Sequence, residues 1–159
     1  MLYEILILVA ITLLPFLELR ASIPYGILKT DMHWMTVFFV CVVANALLAP
    51  VVYFVIDKLL HLVLRWQRLE RLWKKNVERT QKRIKKYVDK YGWIGVALFI
   101  GVPLPGSGVY SGAIGSYLLG LGYKKFIVAA CLGVLIAGVA VTAIMLLGVS
   151  GAGFFVKSI

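Results

Sequence analysis

Two long apolar runs constrain this chain more than any other feature of its sequence. Residues Trp34–Ile56 and Phe126–Val149 contain no charged side chain. At 1.5 Å per residue the first run covers about 34 Å, which is enough to cross a bilayer. Of all residues 62% are hydrophobic and only 15% are charged, and the mean hydropathy is +0.94. The sequence therefore predicts an all-α integral membrane protein and excludes an ordinary soluble domain.

The N-terminal apolar unit is interrupted by a pair of opposite charges. Glu18 and Arg20 lie between Pro15 and Pro24, with apolar residues on both sides. Each proline disfavours a continuous helix, and a charge in hydrocarbon is costly unless it is paired or hydrated. This pattern predicts a re-entrant hairpin with a polar tip, because broken backbone at membrane depth must be buried in protein or line a cavity. The alternative is a helix that ends at the membrane surface, with both charges solvated.

A second interrupted unit follows later in the chain. Residues Gly101–Gly112 contain two prolines and four glycines, so a simple spanning helix is excluded there. A helix that begins near Val109 would present free backbone N–H groups around Gly106, Ser107 and Gly108, which is a typical anion-binding arrangement. The alternative is a tight turn whose small residues allow close helix packing.

The segment between the two apolar halves is strongly basic. Twelve of the 17 lysines and arginines lie in residues 58–90. Apolar positions there recur at helical spacing, which predicts a basic amphipathic helix. It would lie on the inner leaflet or pair with a neighbouring subunit. Because apolar spans flank it, the positive-inside rule places it in the cytoplasm, and we expect a protein of the cytoplasmic (plasma) membrane that does not bind nucleic acid.

The sequence predicts one membrane domain in which an interrupted apolar unit followed by a long apolar helix occurs twice. We predict a first re-entrant hairpin over 1–30, a transmembrane helix over 34–57, the basic helix over 58–91, a second hairpin over 92–121 and a transmembrane helix over 124–149. A shift of 90 positions aligns Pro15 with Pro105 and Cys41 with Cys131. With the basic segment inside, the two halves become inverted repeats, as in many transporters. If the first unit instead crosses the membrane completely, the symmetry fails.

No pattern in the sequence indicates an enzyme, a metal site or a cofactor. Cys41 and Cys131 lie in separate apolar runs, and His33 and His61 are isolated. No nucleophile with a neighbouring base can be assembled. A chain of this size would struggle to enclose a pathway alone, so we expect a homo-oligomer.

Two motifs together carry a family resemblance. The stretch Pro15-Phe-Leu-Glu-Leu-Arg-Ala-Ser-Ile-Pro-Tyr-Gly26, with the later stretch Val102-Pro-Leu-Pro-Gly-Ser-Gly-Val-Tyr-Ser-Gly-Ala-Ile114, resembles the small multidrug export protein family, which is similar to the DedA/VTT group of membrane proteins. The resemblance implies two re-entrant hairpins that point at each other, each followed by a membrane helix. It also implies that Glu18 and Arg20 are the acid and the arginine of the first hairpin, and that lipid-linked phosphates and protons are candidate partners.

These observations support three candidate functions. The first is translocation of an anionic amphiphile such as a polyprenyl (undecaprenyl-type) phosphate, with possible proton coupling through Glu18. The second is proton-coupled export of lipophilic cations, and the third is a membrane scaffold built on the basic helix. For the first function the expected substrate-binding residues are Glu18, Arg20, Ser22, Gly106, Ser107, Gly108, Tyr110 and Ser111.

Overall fold

The computed structural model describes residues 2–15, 17–64, 92–104 and 106–156. Within these ranges the chain forms helices and no β-strand. The helices are α1 (Leu2–Leu13), α2 (Glu18–Lys29), α3 (Trp34–Leu64), α4 (Gly92–Gly101), α5 (Val109–Leu118) and α6 (Tyr123–Val156). The predicted all-helical class is confirmed for this part of the chain. The predicted basic helix lies mostly in residues 65–91, outside the described residues.

Two of the helices are long and apolar enough to cross a membrane. The candidate spans are Trp34–Lys58 within α3 and Tyr123–Gly148 within α6. They contain the first charge-free run of the sequence and all but the last residue of the second, with lysines and Asp57 only near their ends. Both spans leave much of their surface unburied, as expected for helices whose outer faces contact lipid. The chain is therefore a membrane protein.

The remaining helices are too short to cross a bilayer alone. The helices α1 and α2 have 12 residues each and α5 has 10, so each is about 15–18 Å long, roughly half of the hydrocarbon thickness. They form a first helix pair (α1 and α2) and a second helix pair (α4 and α5). Pro15 lies in the turn of the first pair. In the turn of the second pair, Gly106 has a φ of +85°, which is a backbone conformation suited to glycine.

The two prolines of the first unit have different effects. Pro15 separates α1 from α2, as the sequence predicts. Pro24 does not interrupt the helix, because α2 continues through it to Lys29. Its missing N–H leaves the carbonyl of Arg20 without the usual helical donor, but this one lost bond does not end the helix. The charged pair thus lies in the first turn of α2, not in an unwound segment between the prolines.

Each helix pair packs against the long helix of the other half of the chain. The short helix α2 contacts α6, and α5 contacts α3, while α3 and α6 pack against each other. Glycines allow close approaches between helices: Gly133 of α6 lies against Ile100 of α4, and Gly138 of α6 lies against Phe38 and Val42 of α3. Because each helix pair packs against the long helix of the other half, the turns of the two helix pairs lie close together.

Candidate functional site

The carboxylate of Glu18 is the centre of the site. Glu18 is the first residue of α2 and is only 3% exposed. The backbone amide of Val109 donates to its Oε2 at 3.1 Å, and that of Tyr110 donates to its Oε1 at 3.4 Å. These are free N–H groups of the first turn of α5, which also carries the positive end of the helix dipole. The donors are thus Val109 and Tyr110, not the predicted Gly106, Ser107 and Gly108, and the Ser107 amide instead donates to the Leu104 carbonyl. The anion that they hold is a carboxylate of the chain itself.

Gly108 makes this arrangement possible. A Cβ atom on Gly108 would overlap both oxygens of the Glu18 carboxylate. The backbone of Gly108 has φ −87° and ψ −164°, which any residue can adopt. Gly108 therefore needs to be glycine because of the carboxylate beside it, and not because of its own backbone conformation.

Asn45 of α3 completes the surroundings of the carboxylate. Its side chain is 1% exposed, and Nδ2 donates to Glu18 Oε2 at 3.5 Å. Its Oδ1 is buried and has no hydrogen-bond partner among the described residues. Asn45 is not among the residues that the sequence predicted for the site. Its position in an apolar run was the signal, because a buried amide needs partners.

Arg20 connects the first helix pair to the end of α4. Its Nη2 lies 3.1 Å from the carbonyl oxygens of Ile100 and Val102 and from both oxygens of Ser107. A cation at these carbonyls is stabilised by the negative end of the α4 dipole. Arg20 Nη1 lies 3.7 Å from Glu18 Oε2, and the buried Nε has no partner in the described part of the chain.

Tyr110 makes the reciprocal contact from the second helix pair. Its hydroxyl donates to the carbonyl oxygen of Leu13 at 2.6 Å, and Leu13 is the last residue of α1. Each pair thus supplies a donor to the carbonyl end of the first helix in the other pair. The opposing turns are held by polar contacts from both sides.

A cavity of about 260 Å³ lies between the two turns. Six of the eight predicted site residues contribute to its lining, which consists of Pro15, Glu18, Arg20, Gly106, Gly108, Tyr110, Ser111 and Ile114. The other two predicted residues are outside this lining. Ser22 is buried between α1 and α2, where its Oγ contacts Thr12 and the Glu18 carbonyl. Ser107 is also buried, and its hydroxyl lies 2.6 Å from the Val102 carbonyl.

Exposed apolar side chains lie next to the cavity-lining residues along the chain. They belong to the end of α1, to both turns and to the middle of α5, and they are Leu13, Leu14, Leu17, Val102, Leu104 and Ile114. Because the chain lies in a membrane, such residues are suited to contact with lipid. In the described part of the chain, no three His, Cys, Asp or Glu side chains come together as a metal site would require.

The comparisons with known proteins give one match. A protein-family model described as "Putative small multi-drug export protein" matches residues 18–140 of the 159. The matched range begins at Glu18 and includes Arg20, Asn45 and the start of α5. No curated protein and no solved structure matches the chain significantly.

Proposed function

The chain belongs to the small multi-drug export protein family, and we propose that it is a membrane transporter that moves an anionic amphiphile through the site between its helix pairs. A polyprenyl phosphate of the undecaprenyl type is the substrate with which the proposal is tested. The observation that carries the proposal is the start of α5, where two backbone amides already hold an oxyanion beside Arg20. When Glu18 moves aside, the same donors are available to a phosphate headgroup.

The proposal includes a DedA-like architecture of two inverted halves with re-entrant hairpins. Helices α4, α5 and α6 begin 90, 91 and 89 positions after α1, α2 and α3. A shift of 90 also relates Arg20 to Tyr110, and these two residues make the reciprocal contacts between the pairs. The same shift relates Glu18 to Gly108, which are in direct contact. These correspondences support a pseudo-two-fold axis that passes between Glu18 and Gly108.

The hydrogen-bonding capacity of the site favours an anion over a cation. The Glu18 carboxylate is already contacted by two backbone amides, Asn45 and Arg20. It therefore has little capacity left to bind a cationic substrate. Arg20 retains a buried Nε without a described partner, so donors remain available beside the cavity.

The surroundings of the cavity favour an amphiphile over a soluble anion. The cavity volume of about 260 Å³ is below the roughly 300–1,000 Å³ typical of pockets for drug-sized ligands. It is suited to a headgroup, while the exposed apolar residues of both turns offer a surface for a hydrocarbon tail. In this scheme Glu18 leaves the α5 start when the headgroup binds, and a proton is one candidate for the partner that drives this exchange.

Reconstitution in liposomes tests this function. We expect the parent protein to accelerate translocation of a short-chain polyprenyl phosphate, and Arg20→Ala to lower the rate at least tenfold because a charge-assisted contact is worth roughly 1.5–3 kcal/mol. Lys29→Ala is the matched control, because it removes an exposed cation at the other end of the same helix. Equal rates for the parent and Arg20→Ala would reject the proposed site.

Export of lipophilic cations is the second candidate, and membership of a family described by multi-drug export favours it. It requires Glu18 to exchange its present partners for the substrate. Two results together would favour this candidate over the first. Resistance to a lipophilic cation would be lost in Glu18→Gln but kept in Asp31→Asn, and the protein would not translocate the polyprenyl phosphate.

A further inference from the structure

The amide of Asn45 contains a buried acceptor that lacks a donor. Its Nδ2 contacts the Glu18 carboxylate, while the Oδ1 of the same amide has no partner among the described residues. A buried acceptor without a donor is costly, so its presence in a membrane interior indicates a donor that these residues do not supply. An ionised carboxylate cannot supply it, because it only accepts hydrogen bonds.

The start of α5 determines which hydrogen-bonding atoms a ligand that donates to Asn45 must have. Two oxygens of one group accept from the amides of Val109 and Tyr110 there. A ligand that satisfies Asn45 at the same time needs two free oxygens and one hydroxyl. A phosphate monoester with a second pKa of about 6 has this set when it carries one proton. A sulfate ester has the same shape but no proton near neutral pH.

We propose that Asn45 is a specificity-determining residue that selects a singly protonated phosphate monoester over a sulfate ester. The headgroup replaces the Glu18 carboxylate at the start of α5, its oxygens accept from Val109 and Tyr110, and its P–O–H donates to Asn45 Oδ1. This inference rests on the proposed function, because it assigns the substrate class of the same site.

Binding of geranyl phosphate and geranyl sulfate to the purified full chain tests the inference. The two probes share one tail, and their affinities are measured by thermal shift in a neutral detergent at pH 6. We expect the parent to bind the phosphate about tenfold more tightly, which corresponds to one hydrogen bond. Asn45→Leu replaces the amide by an apolar side chain of similar size and should bring the ratio of affinities to about one.

A second measurement needs no variant and stays valid if Asn45→Leu does not fold. At pH 8 the phosphate has lost its second proton, so the preference of the parent should disappear. Among the described residues, the titratable or charged side chains near the Asn45 amide and the start of α5 are Glu18 and Arg20 on α2, Tyr110 on α5, and Cys41 one turn before Asn45 on α3. Geranyl sulfate does not titrate between pH 6 and pH 8. A change in its affinity over this range would therefore come from titration of these protein groups and not of the probe.

The outcomes separate the inference from the proposed function. Equal binding of both probes at pH 6, or a preference retained in Asn45→Leu, overturns selection by Asn45 and leaves anion transport intact. No thermal shift from either probe rejects anion binding and this inference together. A shift by inorganic phosphate as large as that by geranyl phosphate would support Asn45 but assign the site to free phosphate instead of a lipid.

Discussion

Glu18 adopts a backbone conformation that residues other than glycine rarely adopt, with a φ of +47°. The left-handed region costs a non-glycine residue roughly 1–2 kcal/mol. In this structure the conformation accompanies a side chain that reaches from the start of α2 to the start of α5. Hydrogen bonds to a charged group contribute about 1.5–3 kcal/mol each. Two amides of α5 are therefore enough to offset the backbone cost.

Gly108→Ala should destabilise the protein by about 1–3 kcal/mol, because the new methyl group and the Glu18 carboxylate cannot occupy the same space. The measurement is thermal unfolding in detergent. Gly115→Ala is the matched control, because it lies in α5, the helix that Gly108 directly precedes, and a Cβ there meets nothing within 4 Å. In a Glu18→Ala background the cost of Gly108→Ala should become much smaller. Additive effects in this double-mutant cycle would refute the contact as the cause.

At this scale the sequence indicated the polar groups of the candidate site better than it indicated their partners. Glu18 and Arg20 were visible because they are charges in an apolar unit, and the α5 start was visible from its glycines. The contact between them joins Glu18 to Val109, which are 91 positions apart in the sequence. A local sequence pattern cannot predict a contact between residues so far apart. Asn45 was missed as a site residue because α3 brings it to Glu18 only when the helices pack.

At the scale of elements, glycines on α6 determine how closely the second helix pair approaches. A Cβ on Gly133 would lie 2.6 Å from the Ile100 Cβ and 2.7 Å from the Ala97 carbonyl oxygen. Since the second of these is backbone of α4, a rotamer change cannot relieve the clash. The position of α4 also sets the position of the carbonyl groups that Arg20 contacts.

Gly133→Ala should therefore lower the unfolding temperature and weaken transport, whereas Gly148→Ala should do neither. Both substitutions add one methyl group to α6, but a Cβ on Gly148 meets nothing within 4 Å. The expected cost at position 133 is about 1–3 kcal/mol, as for other overpacked cores. The check is a comparison of melting temperatures and of translocation rates in liposomes. Similar melting temperatures for the two variants would show that α4 and α6 are not tightly packed here.

The sequence predicted the long helices well because twenty or more apolar residues in a row have few alternatives in a membrane. The short helices were harder to predict from the sequence, since proline is a typical helix breaker but Pro24 lies inside α2. Proline removes one donor, and tertiary packing of α2 against α1, α3 and α6 outweighs that loss.

At the scale of the whole molecule, the orientation of the two halves is still a prediction from charge. The basic segment after Lys58 should be cytoplasmic under the positive-inside rule. The span in α3 then runs inward and the span in α6 runs outward. If both helix pairs are re-entrant, each returns to the side from which it enters, so the N-terminus and the α2–α3 connection share the outer side.

Single cysteines on a background with Cys41→Ser and Cys131→Ser test this arrangement. We expect Leu2→Cys and Asp31→Cys to react with a membrane-impermeant maleimide in intact cells, and Lys124→Cys to react only after permeabilisation. All three positions are exposed in the structure, so differences in labelling report the side of the membrane. Outside labelling at Asp31→Cys with inside labelling at Leu2→Cys would mean that the first unit crosses the membrane. The two halves would then not be inverted repeats, and the contact between Glu18 and Gly108 would not mark a symmetry axis.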